Sequence, residues 1–172
     1  MLWTLINPII QLFIYYLVMG QILGAARGLD DFAIYVFSGL TIYGLFSEIM
    51  SGSTGSIVAN AGLVKKVYVP REVFPLASVG SAMFTFTVQL VVLLVACFVI
   101  GSPPLTPNLV YAIPSILLIV VYAGALGILF AGLNVYLRDV QYLTGILLMI
   151  AMWASPIVYG WSMVQDLSLI HI

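Results

Sequence analysis

The stretch "VFPLASVGSAMFTFTVQLVVLLVACFVIG", residues 73–101, carries no charged side chain from end to end. About 20 apolar residues in a helix cross a ~30 Å hydrocarbon core, and this run is longer than that. Its apolar positions do not alternate with polar ones as they do in a barrel strand, so its backbone groups are to be satisfied within a helix. Further apolar segments lie at 3–24, 32–56, 109–134 and 142–160, each bounded by turn residues or charge. The expected fold class is all-α: one polytopic transmembrane helical bundle over residues 1–172, with about five spanning helices. Composition agrees, at 63% hydrophobic against 6% charged residues, because a soluble domain of this length needs a more polar surface.

Several function classes fall away at once. Cys97 is the single cysteine, so no disulfide framework is present. Met1 to Leu23 lacks the basic start of a cleaved signal peptide and runs longer than its apolar region, so targeting is expected to come from the spans themselves. A formal net charge of -1 gives no footprint for nucleic acid.

The connections are "AARGLDD" (25–31), the region around 60–72, "SPPLTPN" (102–108) and "VYLRDVQ" (135–141). Lys65, Lys66, Arg71 and Arg138 share one side of the five-span arrangement. The other side has Arg27 beside Asp30 and Asp31. Basic residues in short loops stay in the cytoplasm, which places the amino terminus inside and, after an odd number of spans, the carboxyl end outside.

Topology alone does not account for "NAGLVKKVYVPREVFPLA", residues 60–77. Leu63 with Val67 and Val64 with Tyr68 are i, i+4 apolar pairs, while Lys65 and Lys66 occupy another sector. Asn60 to Tyr68 is therefore expected as a short amphipathic helix, suited to a partner or to the membrane surface. Pro70 stops it, and Pro75 falls in the first turn of the next span, where proline is tolerated.

These residues also carry a resemblance. "SGSTGSIVANAGLVKKVYVPREVFPLA" (51–77) resembles the signature of permease subunits of type-2 ATP-binding-cassette exporters, those that move O-antigen, capsular or teichoic-acid-like polysaccharides. "WTLINPIIQLFIYYLV" (3–18) is similar to the first span of that family. "LNVYLRDVQYL" (133–143) is similar to its second cytoplasmic turn, and "ASPIVY" (154–159) to the end of its fifth span. The Lys-x-x-x-Pro-Arg-Glu pattern at Lys66 to Glu72 is the most specific of these pieces. The resemblance implies that the 60–72 loop is a cytoplasmic coupling helix seated in a groove of a separate ATPase subunit. Lys65, Lys66, Arg71 and Glu72 would contact that subunit, with Arg138 and Asp139 as a second contact. It further implies a permease homodimer in the bacterial cytoplasmic (inner) membrane, in contact with membrane lipid and a glycolipid or polysaccharide substrate. No cofactor is expected on this chain, and ATP and magnesium are expected on the partner subunit. Family members begin with a cytoplasmic amphipathic segment and end with a sixth span. This sequence opens in apolar residues at Leu2 and stops at Ile172, so truncation at both ends is expected, with a tail "LSLIHI" that continues no family pattern.

The residues themselves leave alternatives open. Lys65 and Lys66 serve equally to set orientation, and Arg138 with Asp139 to cap two spans at the interface. No P-loop occurs, so ATP hydrolysis is expected on another chain and the chain is not expected to be an enzyme. The one histidine, His171, leaves no nucleophile–base pair and no histidine-based metal site. Glu48 lies about 24 Å along its helix, close to the cytoplasmic boundary of the core. It lines a conduit, pairs with the basic loop, or is solvated at the interface. The small residues of "SGSTGS" (51–56) and Gly20-x-x-x-Gly24 permit close helix approach. Trp3, Tyr35, Tyr111, Tyr159 and Trp161 suit an interfacial belt. Tyr15, Tyr16 and Trp153 are candidate conduit-lining rings, since sugar C–H faces stack on aromatic planes. Exporters of drugs or small lipids in the same superfamily are the alternative. An ion-coupled secondary transporter requires charges near mid-membrane, and the sequence shows none clearly there.

Overall fold

A computed structural model describes residues 2–14, 17, 32–101, 107–155 and 157. The side chains of Tyr15, Tyr16, Gly20, Gly24, Arg27, Asp30, Asp31, Tyr159, Trp161 and His171 lie outside the described residues. Within them the chain is helical: α1 (Leu2–Ile14), α2 (Phe32–Ala59), α3 (Ala61–Val64), α4 (Val73–Ile100), α5 (Ala112–Tyr136) and α6 (Val140–Ala154), with a 3₁₀ turn at Pro107–Tyr111 leading into α5. Ile34–Ala59, Val73–Val99 and Leu109–Tyr136 are each long and apolar enough to cross a membrane, and α6 is a shorter apolar helix.

α2 is the central element. It packs along α5 and α4 and, through part of its length, against α6. Leu45, Ile49 and Met50 of α2 meet Ala82 and Phe86 of α4, Ala123 of α5 and Leu148 of α6 in the buried core. The outward faces are apolar as well: Val99 is 80% exposed and Ile113 73%. Such a surface is unfavourable in water and is what hydrocarbon accepts.

Serine and threonine interrupt these helices without breaking them. The hydroxyls of Thr41, Ser51, Thr54, Thr87 and Thr144 each donate to the carbonyl four residues earlier, at 2.7–2.8 Å, so a polar group is satisfied inside its own helix. Ser53 and Thr85 differ, because their hydroxyls reach a second helix.

The helix ends have local causes. The Asn60 amide donates to the Ser56 carbonyl at 2.8 Å, and its own carbonyl accepts from Leu63 and Val64, so α2 closes and α3 opens at one residue. Gly101 ends α4 at φ 86°, a conformation that side chains with a Cβ resist. The amphipathic helix expected over Asn60 to Tyr68 is shorter: regular helix covers Ala61–Val64, and helical hydrogen bonds run on only to Val67. Two turns whose Leu63, Val67 and Tyr68 are exposed gain little packing to repay the cost of nucleation, and Val64, Val67 and Val69 disfavour helix before Pro70 ends it.

Candidate functional site

Both loops of interest lie at the same end of the bundle, and the side chains beneath them show how. Asn134, in the last turn of α5, is fully buried. Its Nδ2 donates to the carbonyl of Thr54 on α2 at 3.1 Å, and its Oδ1 accepts the backbone N–H of Gln141 on α6 at 3.3 Å. Ser53 donates to the carbonyl of Pro75, in the first turn of α4, at 3.3 Å. The close of α2, the start of α4, the close of α5 and the start of α6 therefore meet at one level. The 60–72 loop and the 137–139 turn project from it together.

Lys65, Lys66, Arg71, Glu72, Arg138 and Asp139 are all exposed there. Four of the five basic residues of the chain are among them. Glu72 and Asp139 stand at the N-caps of α4 and α6, yet neither makes a side-chain cap bond. Their carboxylates complement the positive ends of those helices. Between the charges are exposed apolar side chains. Leu63 is 49% exposed, Val67 50%, Leu137 64%, and Tyr68 is fully exposed. An apolar and aromatic centre rimmed by charges of both signs is the composition of a docking surface for another protein.

Glu48 is on another part of the bundle. Its carboxylate accepts the Thr85 hydroxyl at 3.1 Å, and Thr85 is the thirteenth residue of the 28-residue α4. The pair is thus about 18 Å from the start of α4, near the middle of that span. Along α2, Glu48 is the seventeenth of 28 residues, about 24 Å from Phe32. Trp153, on α6, has an exposed side chain.

Asn134 and Thr85 carry no signal in the sequence, since both are ordinary polar residues whose partners are on other helices. α5 also carries a stripe of small residues, with Ala123, Gly127 and Ala131 buried at four-residue spacing. That spacing is a visible signal, as was "SGSTGS", whose Ser53, Thr54 and Ser56 are indeed buried.

The sequence matches the family model described as ABC-2 type transporter over residues 1–170. It is 29% identical over 168 residues to an O-antigen export system permease protein RfbA of Klebsiella pneumoniae, covering 96% of this chain and 63% of that protein. An O-antigen export system permease protein RfbA of Myxococcus xanthus is 28% identical over 165 residues, covering 96% of this chain and 62% of the relative. The chain thus spans less than two thirds of the length of these relatives.

Proposed function

Because the chain belongs to the ABC-2 type transporter family, we propose that it acts as the permease subunit of an ATP-binding-cassette exporter whose cargo is a lipid-linked polysaccharide or teichoic-acid-like polymer. The observation that carries this reading is the convergence of two exposed, charge-rimmed loops at one end of an apolar bundle. In the proposed arrangement that end faces the cytoplasm, the chain is multi-pass in the bacterial inner membrane, and its amino terminus is inside, in keeping with the loop distribution of Lys and Arg. A separate ATPase subunit binds ATP and magnesium and seats α3 and the 137–139 turn.

Lys65, Lys66, Arg71 and Glu72 make one contact with the ATPase, and Arg138 with Asp139 the other. Leu63, Val67 and Tyr68 supply the apolar centre. Closure of two ATPase chains pushes both loops of a permease homodimer and opens a path for the polymer between the subunits. Exposed polar and aromatic groups at span depth have reason to face that path, since a carboxylate facing lipid is costly. Glu48 and Trp153 are such groups, and Tyr15 and Tyr16 are assigned to the same lining. O-antigen export in the relatives' names supports a glycan cargo over a drug or small lipid.

The test is a pull-down of the full-length protein from detergent, wild type and with Lys65, Lys66, Arg71 and Glu72 replaced by alanine. Retention of an ATPase chain by wild type and its loss from the variant is expected. Equal retention by the variant removes the role of these four residues. A wild type that brings down no ATPase overturns the reading.

A further inference from the structure

We infer that Asn134 is a positioning residue that clamps the 137–139 turn to the loop-side end of α2, so that the two loops move as one body. This rests on the coupling reading above.

The α5–α6 turn has only Leu137, Arg138 and Asp139 between two helices. The first N–H groups of α6 have no partner inside that helix. Asp139 holds the N-cap position and makes no side-chain cap bond. Asn134 does that work from the preceding helix, since its Oδ1 accepts the Gln141 N–H at 3.3 Å. The other end of the same planar amide donates to the Thr54 carbonyl at 3.1 Å. One rigid group therefore sets the start of α6 relative to α2, five residues before the end of α2 at Ala59. α3 follows directly, because Asn60 both closes α2 and accepts from Leu63 and Val64. Any displacement of the 137–139 turn thus reaches α3 through the 134–54 bond.

Holding the helices together is a separate matter. α2 and α5 pack in a seam along their length, with Gly127 against Ser53 and Ile49 of α2 and Ala123, Gly127 and Ala131 all buried on α5. Removing the amide leaves that seam in place and frees the turn. Loss of the amide takes the acceptor from the Gln141 N–H and removes the tie between the turn and α2, so the turn is free to move to a new position. The expected defect is in transmission between loops, with assembly retained.

The experiment uses the full-length permease co-expressed with its ATPase, in a Cys97→Ala background, with spin labels on cysteines introduced at Ala59 and at Tyr142 in the first turn of α6, both exposed. In the otherwise wild-type complex the distance between labels is expected to change by less than about 2 Å between nucleotide-free and ATP-trapped states, the scale of a helix shift within one packed unit. Asn134→Leu is expected to broaden that distribution, to keep ATPase co-purification within about twofold, and to lower export about tenfold, within the usual range of coupling between sites. A wild-type distance that shifts clearly on ATP trapping shows the loops moving separately and overturns the inference, whether or not the variant folds. Wild-type export by Asn134→Leu also overturns it. Absence of the ATPase from the wild-type preparation instead defeats the coupling reading, which the co-purification arm registers on its own.

Discussion

Gly127 of α5 lies so close to Ser53 of α2 that a Cβ placed on it would be 2.6 Å from the serine Cβ and 3.6 Å from the carbonyl oxygen of Ile49. Both neighbours belong to the α2 backbone or are attached directly to it, so neither can swing aside. α2 and α5 approach each other because a glycine stands here.

Gly127→Ala is therefore expected to push the helices apart and lower the stability of the detergent-solubilised protein by about 1–3 kcal/mol. Ser53→Gly in the same chain removes the opposing Cβ and should recover most of the loss, whereas Ser53→Ala keeps that Cβ and should not. Thermal melts of the three variants decide it, and equal melting of all of them would show that the contact is not limiting.

Thr85 gives Glu48 its hydrogen bond within the membrane span. Thr85→Val keeps the shape and deletes the donor, with an expected cost of about 1–3 kcal/mol while Glu48 is present. In a Glu48→Ala background the same change should cost no more than a few tenths. A double-mutant cycle on melting temperature measures the difference, and identical costs in both backgrounds would mean the bond contributes nothing.

Leu63 and Val67 are half exposed on the loop surface. Replacing both by aspartate should leave the stability of the permease within about 0.5 kcal/mol, as for surface positions generally. Co-purification of the ATPase should drop sharply, since the centre of a docking surface carries most of its binding energy. An undiminished ATPase yield assigns these side chains to the membrane surface instead.

Exchanging Arg138 and Asp139 puts a cation at the N-terminus of α6, where the carboxylate now stands without a cap bond. The helix-dipole penalty is about 0.3–1 kcal/mol, too small to unfold the chain. Export should nevertheless fall, because the order of charges presented to the partner is reversed. Normal export by the exchanged variant would reduce the pair to a structural role.

Much of this architecture is legible in the sequence because each helix announces itself locally. The run without charge from Val73 to Gly101 becomes α4 almost residue for residue, and Pro70, Asn60 and Gly101 act as stops by the conformations they impose on their own backbone. The loop charges were equally legible, since hydrocarbon excludes them and a short connection is the only place left. The extent of α3 is less so: the i, i+4 pairs at Leu63–Val67 and Val64–Tyr68 describe a face that helix would present, and with Leu63, Val67 and Tyr68 exposed that face gains too little packing to hold the second turn.

What the sequence by itself determined is the all-helical class, the stops at Pro70 and Gly101 and the end of the bundle where charge gathers, all products of hydropathy and of backbone stops acting within a few residues. Tertiary structure alone decided which polar groups meet. Asn134 and Thr54 are 80 residues apart, and Glu48 and Thr85 are 37 apart. Each pairing depends on the rotation and axial offset of two helices, and these are set by how small residues such as Gly127 and Ser53 interlock across the seam. Hydropathy is uniform around such helices and carries no record of that choice.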